Sequence, residues 1–306
     1  MKLFKIILTS IILSVLLTSC SVNQENFIKS AQAVADGIET INISSSDQKL
    51  QFKKGQLNVL FVDVNQGSAI ILELNGKVML FDAGDNGTED LMVRTLKEHN
   101  IKKIDVAIGS HPHADHIGGL DAVIDNFDVK KLYMPKVTTN TKTFESVLLS
   151  AKKKGLKITS AKAGTTIDFG KDISVEVLAP IKSKYDDLND YSVVVKLTYK
   201  NQSLLLTGDA SYESEMDMVK SGEDLRASLI LQPHHGSSSS GSAKLLSAVK
   251  PEYTVIQVGA NNKYGHPTDK VLKRLEKQKV KVFRNDLQGS ILATTNGDKW
   301  EFKTER

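Results

Sequence analysis

The residues best suited to do chemistry stand in one short motif, His111-Pro112-His113-Ala114-Asp115-His116. Histidines two positions apart can reach one metal ion from an extended loop, and the aspartate and histidine just beyond them can reach a second ion. The motif follows a buried strand predicted over residues 104–109, which is where α/β enzymes commonly place their chemistry. The spacing therefore predicts a metal site of the kind that activates water for hydrolysis.

Further candidate ligands follow later strands of the sequence. Asp209 ends one predicted strand. His234 and His235 follow the next strand, and His266 comes after a third strand and a loop. Among the seven histidines, only His99, late in a predicted helix, stands apart from these loops. This distribution predicts that the loops meet in one assembled site.

The elements that must position these residues alternate between strands and helices. Asn75-Gly76 joins two early strands and is a strong signal for a tight hairpin turn. The mixture of strands and helices predicts two sheets sandwiched between helices. Strands are predicted over 57–62, 68–74, 77–81, 104–109, 131–134, 173–178, 192–199, 203–206, 229–232 and 253–258, helices over 88–99, 143–154, 212–220, 242–249 and 270–278, and strands again within 280–302.

The first residues have the pattern of an export signal. Lys2 and Lys5 precede an apolar run that is shorter than the about 20 residues of a transmembrane helix, so residues 1–19 are predicted to be a signal peptide. Leu17-Thr18-Ser19-Cys20 resembles a bacterial lipobox, in which the cysteine is lipidated and becomes the mature N-terminus. This resemblance implies an extracytoplasmic lipoprotein anchored to the outer face of a bacterial cell membrane, with plain secretion as the alternative.

Composition limits the remaining organisation. Residues 20–54 are mostly polar and are predicted to be the lipidated cysteine and a flexible tether, whereas residues 55–306 are predicted to form one folded domain. The formal charge is +4, and removal of Lys2 and Lys5 would lower it by two. A strongly nucleic-acid-binding domain usually has a denser basic surface, so the bulk charge favours no particular partner, and no protein partner is inferred. The single cysteine excludes an intramolecular disulfide.

Over residues 55–305 the chain resembles the metallo-β-lactamase fold, a four-layer αββα sandwich of the α/β (α+β) class, with its site at one edge of two facing sheets. The resemblance rests on the histidine motif, on Thr207-Gly208-Asp209 and on the later histidines. A narrower resemblance, to the soluble hydrolase domain of ComEC-type competence proteins, implies kinship with phosphodiester-cleaving enzymes. The segments that carry it are Asp63-Val64-Asn65-Gln66-Gly67-Ser68-Ala69, Ser110 through Leu120, Asn189-Asp190-Tyr191-Ser192, Leu206 through Asp209, Pro233-His234-His235-Gly236-Ser237 and Tyr264-Gly265-His266-Pro267.

The resemblance also implies metal ligands. Many members of the fold supply a further histidine before the bridging aspartate, and here Asn189 or Asp190 occupies that place. Because oxygen ligands suit harder ions, the expected cofactor is one or two divalent ions, Zn²⁺ or Mn²⁺. The implied ligands are His111 and His113 for the first ion, Asp115, His116 and His266 for the second, and Asp209 as a bridge between them.

Catalytic roles are divided among three residues. Asp115 could orient the attacking water as well as bind metal. His235 is the candidate for stabilising the transition state or protonating the leaving group, and His234 is the competing choice. Asp63 and Asp82 are predicted to orient the histidines, against the alternative of a turn or capping role, and Ser192 is predicted to support the ligands.

Three functions fit these features. The first is an extracytoplasmic phosphodiesterase, with DNA as a candidate substrate. The second is a lactonase or β-lactamase on the same fold. The third is a lipid-anchored binding module with a vestigial metal site. Tyrosines that could contact nucleic acid, against the more common role of packing, are Tyr185, Tyr191, Tyr212 and Tyr264, the last beside Lys263.

Overall fold

A computed structural model of the protein describes residues 50–306. The predicted signal peptide, the predicted lipidation site Cys20 and nearly all of the predicted tether lie outside the described residues. The described residues belong to one compact unit, Gln48–Arg306. Among residues 50–306, no helix has the length and apolar character needed to cross a membrane.

Eight strands form the first sheet, which is antiparallel on one side and parallel on the other. The hairpin between the strands Ala69–Leu74 and Lys77–Ala83 closes at Asn75 and Gly76, which both have positive φ, as the sequence predicted. In spatial order the strands are β16 (Trp300–Thr304), β15 (Ile291–Thr295), β1 (Leu57–Phe61), β2 (Ala69–Leu74), β3 (Lys77–Ala83), β5 (Val106–Ile108), β7 (Leu132–Met134) and β8 (Ile158–Ser160).

Six strands form the second sheet. The three strands that come first in the chain pair antiparallel with one another, and the three later strands pair parallel with their neighbours. In spatial order they are β14 (Lys281–Arg284), β13 (Tyr253–Ile256), β12 (Leu229–Leu231), β11 (Gln202–Leu206), β10 (Val194–Tyr199) and β9 (Ile173–Ala179). A separate two-stranded ribbon pairs β4 (Lys103–Ile104) with β6 (Asp128–Val129).

Helices cover the outer face of each sheet. Their apolar faces pack on the sheets, as with Met92 and Leu96 on the first and Leu245 and Val249 on the second. The helices are α1 (Glu89–Glu98), α2 (Ala114–Ile117), α3 (Leu120–Asn126), α4 (Lys142–Lys153), α5 (Tyr212–Ser221), α6 (Ala243–Val249), α7 (Asp269–Lys277) and α8 (Asn285–Gln288), with 3-10 turns at Leu188–Tyr191 and Pro233–Gly236.

The hydrophobic core lies in three layers, one between the sheets and one under the helices on each side. The side chains of β1 point alternately into two of these layers. Phe61 faces the second sheet and packs in one cluster with residues such as Val195 and Leu204, whereas Leu60 faces the helices on the other side. Because successive strand residues point to opposite faces, a strand buried on both sides is apolar throughout. The four-layer sandwich predicted from the sequence is therefore confirmed.

The largest local difference from the sequence prediction is α8, where only strands were expected. The side chain of Asn285 is buried and its amide donates to the carbonyls of Phe61 and Gly289, at 3.3 and 2.7 Å. Tertiary hydrogen bonds thus select a helical turn in a stretch whose local pattern favours strand.

Candidate metal centre

Asp82, at the end of β3, organises the loop that carries the histidine motif. Its Oδ1 accepts from the Ser110 backbone N–H at 2.7 Å, and its Oδ2 accepts from the Ser110 hydroxyl at 2.9 Å. Oδ2 also lies 2.7 Å from Nδ1 of His116. Because a carboxylate only accepts, Nδ1 carries a proton, so Nε2 is the nitrogen of His116 that can give a lone pair to a cation. Asp82, Ser110 and His116 are all fully buried.

His111 and His113 present a second pair of nitrogens. Nδ1 of His111 lies 3.1 Å from the hydroxyl oxygen of Ser110, which already donates to Asp82 and can only accept here. That contact places the proton of His111 on Nδ1 and turns its Nε2 toward Nδ1 of His113, at 2.9 Å. Two ring nitrogens converge there in the way expected of ligands to one ion.

The chain reaches Asp209 through a turn that depends on Gly208. Gly208 has a φ of +51°, and a Cβ atom there would lie 2.9 Å from Cβ of Ser110. The backbone N–H of Asp209 donates to the hydroxyl of Ser192 at 3.0 Å, and that hydroxyl is also 3.5 Å from Nδ1 of His111. Ser192 therefore links the backbone of Asp209 to the ring of His111.

His235 lies in a strained turn directly after β12. Both His234 and His235 are left-handed, with φ of 50° and 53°, a conformation that non-glycine residues adopt at an energetic cost. Nδ1 of His235 donates to the backbone carbonyl of Gln257 at 2.8 Å, so Nε2 is the nitrogen that can coordinate a cation. The strained turn thus fixes the direction in which His235 presents a lone pair.

Two imidazole nitrogens and a carboxylate oxygen meet at the centre of the site. Nε2 of His116 and Nε2 of His235 lie 3.1 and 3.5 Å from Oδ1 of Asp209, and all three atoms are buried without a hydrogen-bond partner. Asp115 completes the group, with Oδ2 3.3 Å from Nε2 of His235. The ligand atoms of these four residues lie within 4.8 Å of one another. Once the two Nε2 atoms are deprotonated, the group brings together buried lone pairs that repel unless a cation lies between them, so it fits a divalent metal.

Burial and neighbouring charge set the protonation of the cluster. Desolvation, with His116 adding to it, lowers the pKa of His111 well below its ordinary value. Desolvation opposes the charging of His116, but the surrounding carboxylates, Asp209 above all, raise its pKa well above the ordinary value. Burial would raise the pKa of Asp209, yet His116 and His235 hold it well below its usual range. The carboxylate is therefore ionised and His111 neutral, the states that ligate a cation.

The residue at the place of the expected extra histidine is Asn189 rather than Asp190. Asn189 lines the cavity at the cluster, and its Oδ1 is buried without a hydrogen-bond partner. Asp190 turns away: its Oδ1 accepts from the backbone N–H groups of Ser211 and Ser214, both at 3.1 Å, and so caps α5. Of the two alternatives in the sequence, only Asn189 faces the candidate ligands.

The cluster opens into a cavity of about 350 Å³. His234 and His266 line this cavity, with ring centroids 5.9 Å apart. His266 stacks on Tyr264, which is 55% exposed. Nε2 of His234 lies 3.6 Å from Oδ2 of Asp209.

The sequence predicts His266 as a metal ligand and His235 as the residue at the leaving group. In the structure His235 belongs to the four-residue group, whereas His266 lines the cavity beside that group. β12 is the neighbour of β11, so the turn that carries His235 begins beside Asp209. His266 lies well beyond the end of β13, on a loop closed by hydrogen bonds to Asn262. The longer loop carries His266 to the rim of the cavity.

One predicted orienting residue lies elsewhere. Asp63 accepts from the Asn65 backbone N–H at 3.1 Å and pairs with Arg306 at 3.1 Å, which is the turn role considered as its alternative. Ser110 and Gln257 also orient histidines of the site, and the sequence did not identify them in that role. Their position could have indicated this role, since each is a polar residue at the end of a buried strand.

The fold and this cluster define the class of the protein. A family model described as the metallo-beta-lactamase superfamily matches residues 62–259, and the chain belongs to that superfamily. Its members are generally metal-dependent hydrolases, and Asp115, His116, Asp209 and His235 form the candidate group for a divalent ion in this one.

Within the superfamily, the chain is similar to competence proteins. It is 30% identical over 203 residues to ComE operon protein 3 of Bacillus subtilis (strain 168), covering 66% of this chain and 26% of that protein. It is 29% identical over 233 residues to competence protein ComA of Neisseria gonorrhoeae, covering 75% of this chain and 31% of the relative. The chain thus spans less than a third of the length of these two curated relatives.

Solved structures support the fold alone. The metallo-beta-lactamase fold protein YhfI from Bacillus subtilis aligns over 74% of this chain and 96% of its own, with a TM-score of 0.51 and 14% identity. CmlA, a diiron beta-hydroxylase from Streptomyces venezuelae, aligns over 80% of this chain and 54% of its own, with a TM-score of 0.53 and 12% identity.

Proposed function

We propose that this protein is a metal-dependent phosphodiesterase. The observation that carries the proposal is the meeting of the unpartnered Nε2 atoms of His116 and His235 at Oδ1 of Asp209, beside Asp115. These four residues would hold one divalent ion, and His111, His113 and Asn189 would hold a second one shared through Asp209. Zn²⁺ and Mn²⁺ suit this mixture of nitrogen and oxygen ligands.

The chain's own residues hold the ligands ready. When bound, a divalent ion activates water near neutral pH and polarises an ester bond. Asp82 and the Gln257 carbonyl keep the protons of His116 and His235 on Nδ1, which leaves both Nε2 atoms free to coordinate. Ser192 fixes the backbone of Asp209.

His234 and His266 are free for the substrate. Both line the cavity outside the four-residue group, and Nδ1 of His266 is buried without a hydrogen-bond partner. An imidazolium of His234 can donate a proton to a departing oxygen, since its Nε2 is directed toward the cluster at 3.6 Å from Asp209. We assign His234 to this step because His235 is engaged in the ligand group.

Two considerations favour a phosphodiester over a lactone or lactam. The relatives include competence proteins and recombination protein 2 of Haemophilus influenzae, names that point to DNA as a candidate substrate. The cavity also carries two histidines beyond the ligand group, which suit a substrate with anionic oxygens. A vestigial site would have no need of His234 and His266, so their presence in the cavity argues against one.

One assay tests the proposal. The purified full-length protein, loaded with Zn²⁺ or Mn²⁺, is offered bis-p-nitrophenyl phosphate, DNA, a lactone and a cephalosporin, with His116→Ala as the control. We expect metal-dependent turnover of the phosphodiesters, lost in the variant. Turnover of the lactam or lactone alone would overturn the proposal, and so would unchanged turnover by His116→Ala.

We also propose an extracytoplasmic location through a lipidated Cys20. The proposal rests on the lipobox resemblance of Leu17-Thr18-Ser19-Cys20 after an apolar run. Cells labelled with radioactive palmitate should yield a labelled, membrane-bound protein, and Cys20→Ala should release an unlabelled one. Equal labelling of both proteins would contradict this assignment.

A further inference from the structure

A second cavity adjoins the metal cavity. It has a volume of about 380 Å³, and its walls include Tyr212, the hydroxyl-bearing Ser238 and Ser239, and the two lysines Lys244 and Lys270. The metal cavity is lined by His234 and the second cavity by Ser238 and Ser239, so the same short loop contributes to both.

Ser239 connects the two cavities directly. Its hydroxyl oxygen lies 3.5 Å from Nδ1 of His234, whose Nε2 is directed to Asp209. Its backbone carbonyl accepts from the N–H of Tyr212 at 3.2 Å. One residue thus contacts both the histidine at the metal site and the tyrosine in the second cavity.

The loop between the cavities is held firmly from beneath. The buried carboxylate of Glu215 accepts from the backbone N–H groups of Gly241 and Ser242, at 2.5 and 2.9 Å. The guanidinium of Arg274 donates to the carbonyl of Ser240 at 3.0 Å and to that of Gly241. These charge-assisted hydrogen bonds fix the segment from Ser240 to Ser242, which directly follows Ser238 and Ser239.

The charges in the second cavity are available for a ligand. Within residues 50–306, neither Lys244 nor Lys270 makes an ion pair or a side-chain hydrogen bond, and both are exposed. The nearby Glu213, in contrast, is already paired with Lys182 at 2.8 Å. Two free ammonium groups beside serine hydroxyls have the chemistry that binds a phosphate.

Exposed tyrosines occur at both cavities. Tyr212 is 53% exposed and Tyr264, at the metal cavity, is 55% exposed with the Lys263 ammonium 5.2 Å from its ring centroid. Tyr185 and Tyr191 instead pack edge to face, with Tyr185 buried, so they do not form part of this surface. Open aromatic rings interleaved with lysines are the pattern of a surface that binds single-stranded nucleic acid by stacking bases and contacting phosphates.

We propose that the second cavity is a binding subsite for the neighbouring nucleotide of a single-stranded nucleic acid whose scissile phosphate lies at the metal cluster. Lys244 and Lys270 contact its phosphate, Ser238 and Ser239 donate to the same oxygens, and Tyr212 stacks on its base. This inference rests on the proposed phosphodiesterase function and adds that the enzyme prefers a polymer to an isolated diester.

Binding tests the subsite without any need for turnover. A fluorescein-labelled oligothymidylate is titrated with metal-free full-length protein and followed by fluorescence anisotropy. Lys244→Gln/Lys270→Gln should weaken binding by about tenfold or more. It should also reduce the slope of log affinity against log salt by about 0.7, since the two lysines neutralise one phosphate and each neutralised phosphate of a single strand contributes about 0.7. The matched control, Lys97→Gln/Lys157→Gln, changes two exposed lysines outside the second cavity. Equal weakening by both pairs, or by neither, would overturn the subsite.

Substitutions of Tyr212 distinguish base stacking from electrostatic attraction as the source of binding. Tyr212→Ala should weaken oligothymidylate binding by about fivefold or more, whereas Tyr212→Phe should keep most of it, because stacking needs the ring and not the hydroxyl. A loss in Tyr212→Phe equal to that in Tyr212→Ala would contradict the stacking role.

Activity distinguishes failure of the subsite from failure of the proposed function. With metal added, Lys244→Gln/Lys270→Gln should cleave bis-p-nitrophenyl phosphate like the wild type but should lose about tenfold in kcat/KM on the oligonucleotide. Wild-type protein inert toward both substrates would refute the phosphodiesterase proposal. Wild-type activity with an unaffected double variant would refute only the subsite.

Discussion

The Nδ1–H of His235 donates to the backbone carbonyl of Gln257 at 2.8 Å, and the side chain of the same glutamine crosses to the other sheet. There its amide N–H groups donate to the carbonyls of Val62 and Ala69, at 3.0 and 3.1 Å, and its oxygen accepts from the Ala69 backbone N–H at 3.1 Å. Gln257 therefore joins the two sheets and orients a candidate metal ligand with one residue.

Replacement of Gln257 should affect both stability and metal affinity. Gln257→Leu leaves the backbone N–H of Ala69 buried without a partner, so the free energy of unfolding should fall by about 2–3 kcal/mol. Metal affinity should fall by about tenfold, because the carbonyl of residue 257 still contacts His235 but is no longer anchored to the other sheet by its side chain. Urea unfolding and metal titration measure the two effects, with the exposed Gln51→Leu as control. A variant as stable as the control would contradict the cross-sheet role.

Asn189 and Asp190 should respond to substitution in opposite ways. Asp190→Ala removes the carboxylate that caps α5 and should cost about 1–2 kcal/mol of stability while metal binding is kept. Asn189→Ala removes an unpartnered oxygen at the cavity and should lower metal affinity with little change in stability. Thermal unfolding and metal titration on both variants measure this. The reverse pattern would show that Asp190 is the ligand.

Metal affinity should increase with pH. Desolvation lowers the pKa of both His116 and His235, but the surrounding negative charge, chiefly that of Asp209, outweighs it. The pKa of His116 is therefore well above its ordinary value, and that of His235 is also raised. At neutral pH a binding cation must therefore displace protons, and protons become scarcer as the pH rises. Between about pH 6 and 8 the affinity should rise by roughly tenfold per unit for each proton released. Calorimetry in buffers of different ionisation enthalpy counts those protons, and a pH-independent affinity would contradict the assignment.

The sequence was sufficient for the fold and for the loops that form the site. A compact histidine motif after a buried strand, and an asparagine–glycine turn between two strands, are local signals with direct structural consequences. The place of His235 in the four-residue group and of His266 at the cavity rim could not be predicted in this way, because both depend on how far each loop extends from its strand. The roles of Asn189 and Asp190 depend on the packing of α5, which adjacent positions in the sequence do not show.

Metal content tests the central claim most directly, which is that Asp115, His116, Asp209 and His235 hold a divalent ion. Full-length wild type, His235→Ala and His266→Ala are loaded with Zn²⁺ or Mn²⁺, desalted and analysed by elemental mass spectrometry. We predict that His235→Ala loses the metal held by this group and that His266→Ala, a change at the cavity rim, retains it. Retention by His235→Ala together with loss by His266→Ala would contradict the account.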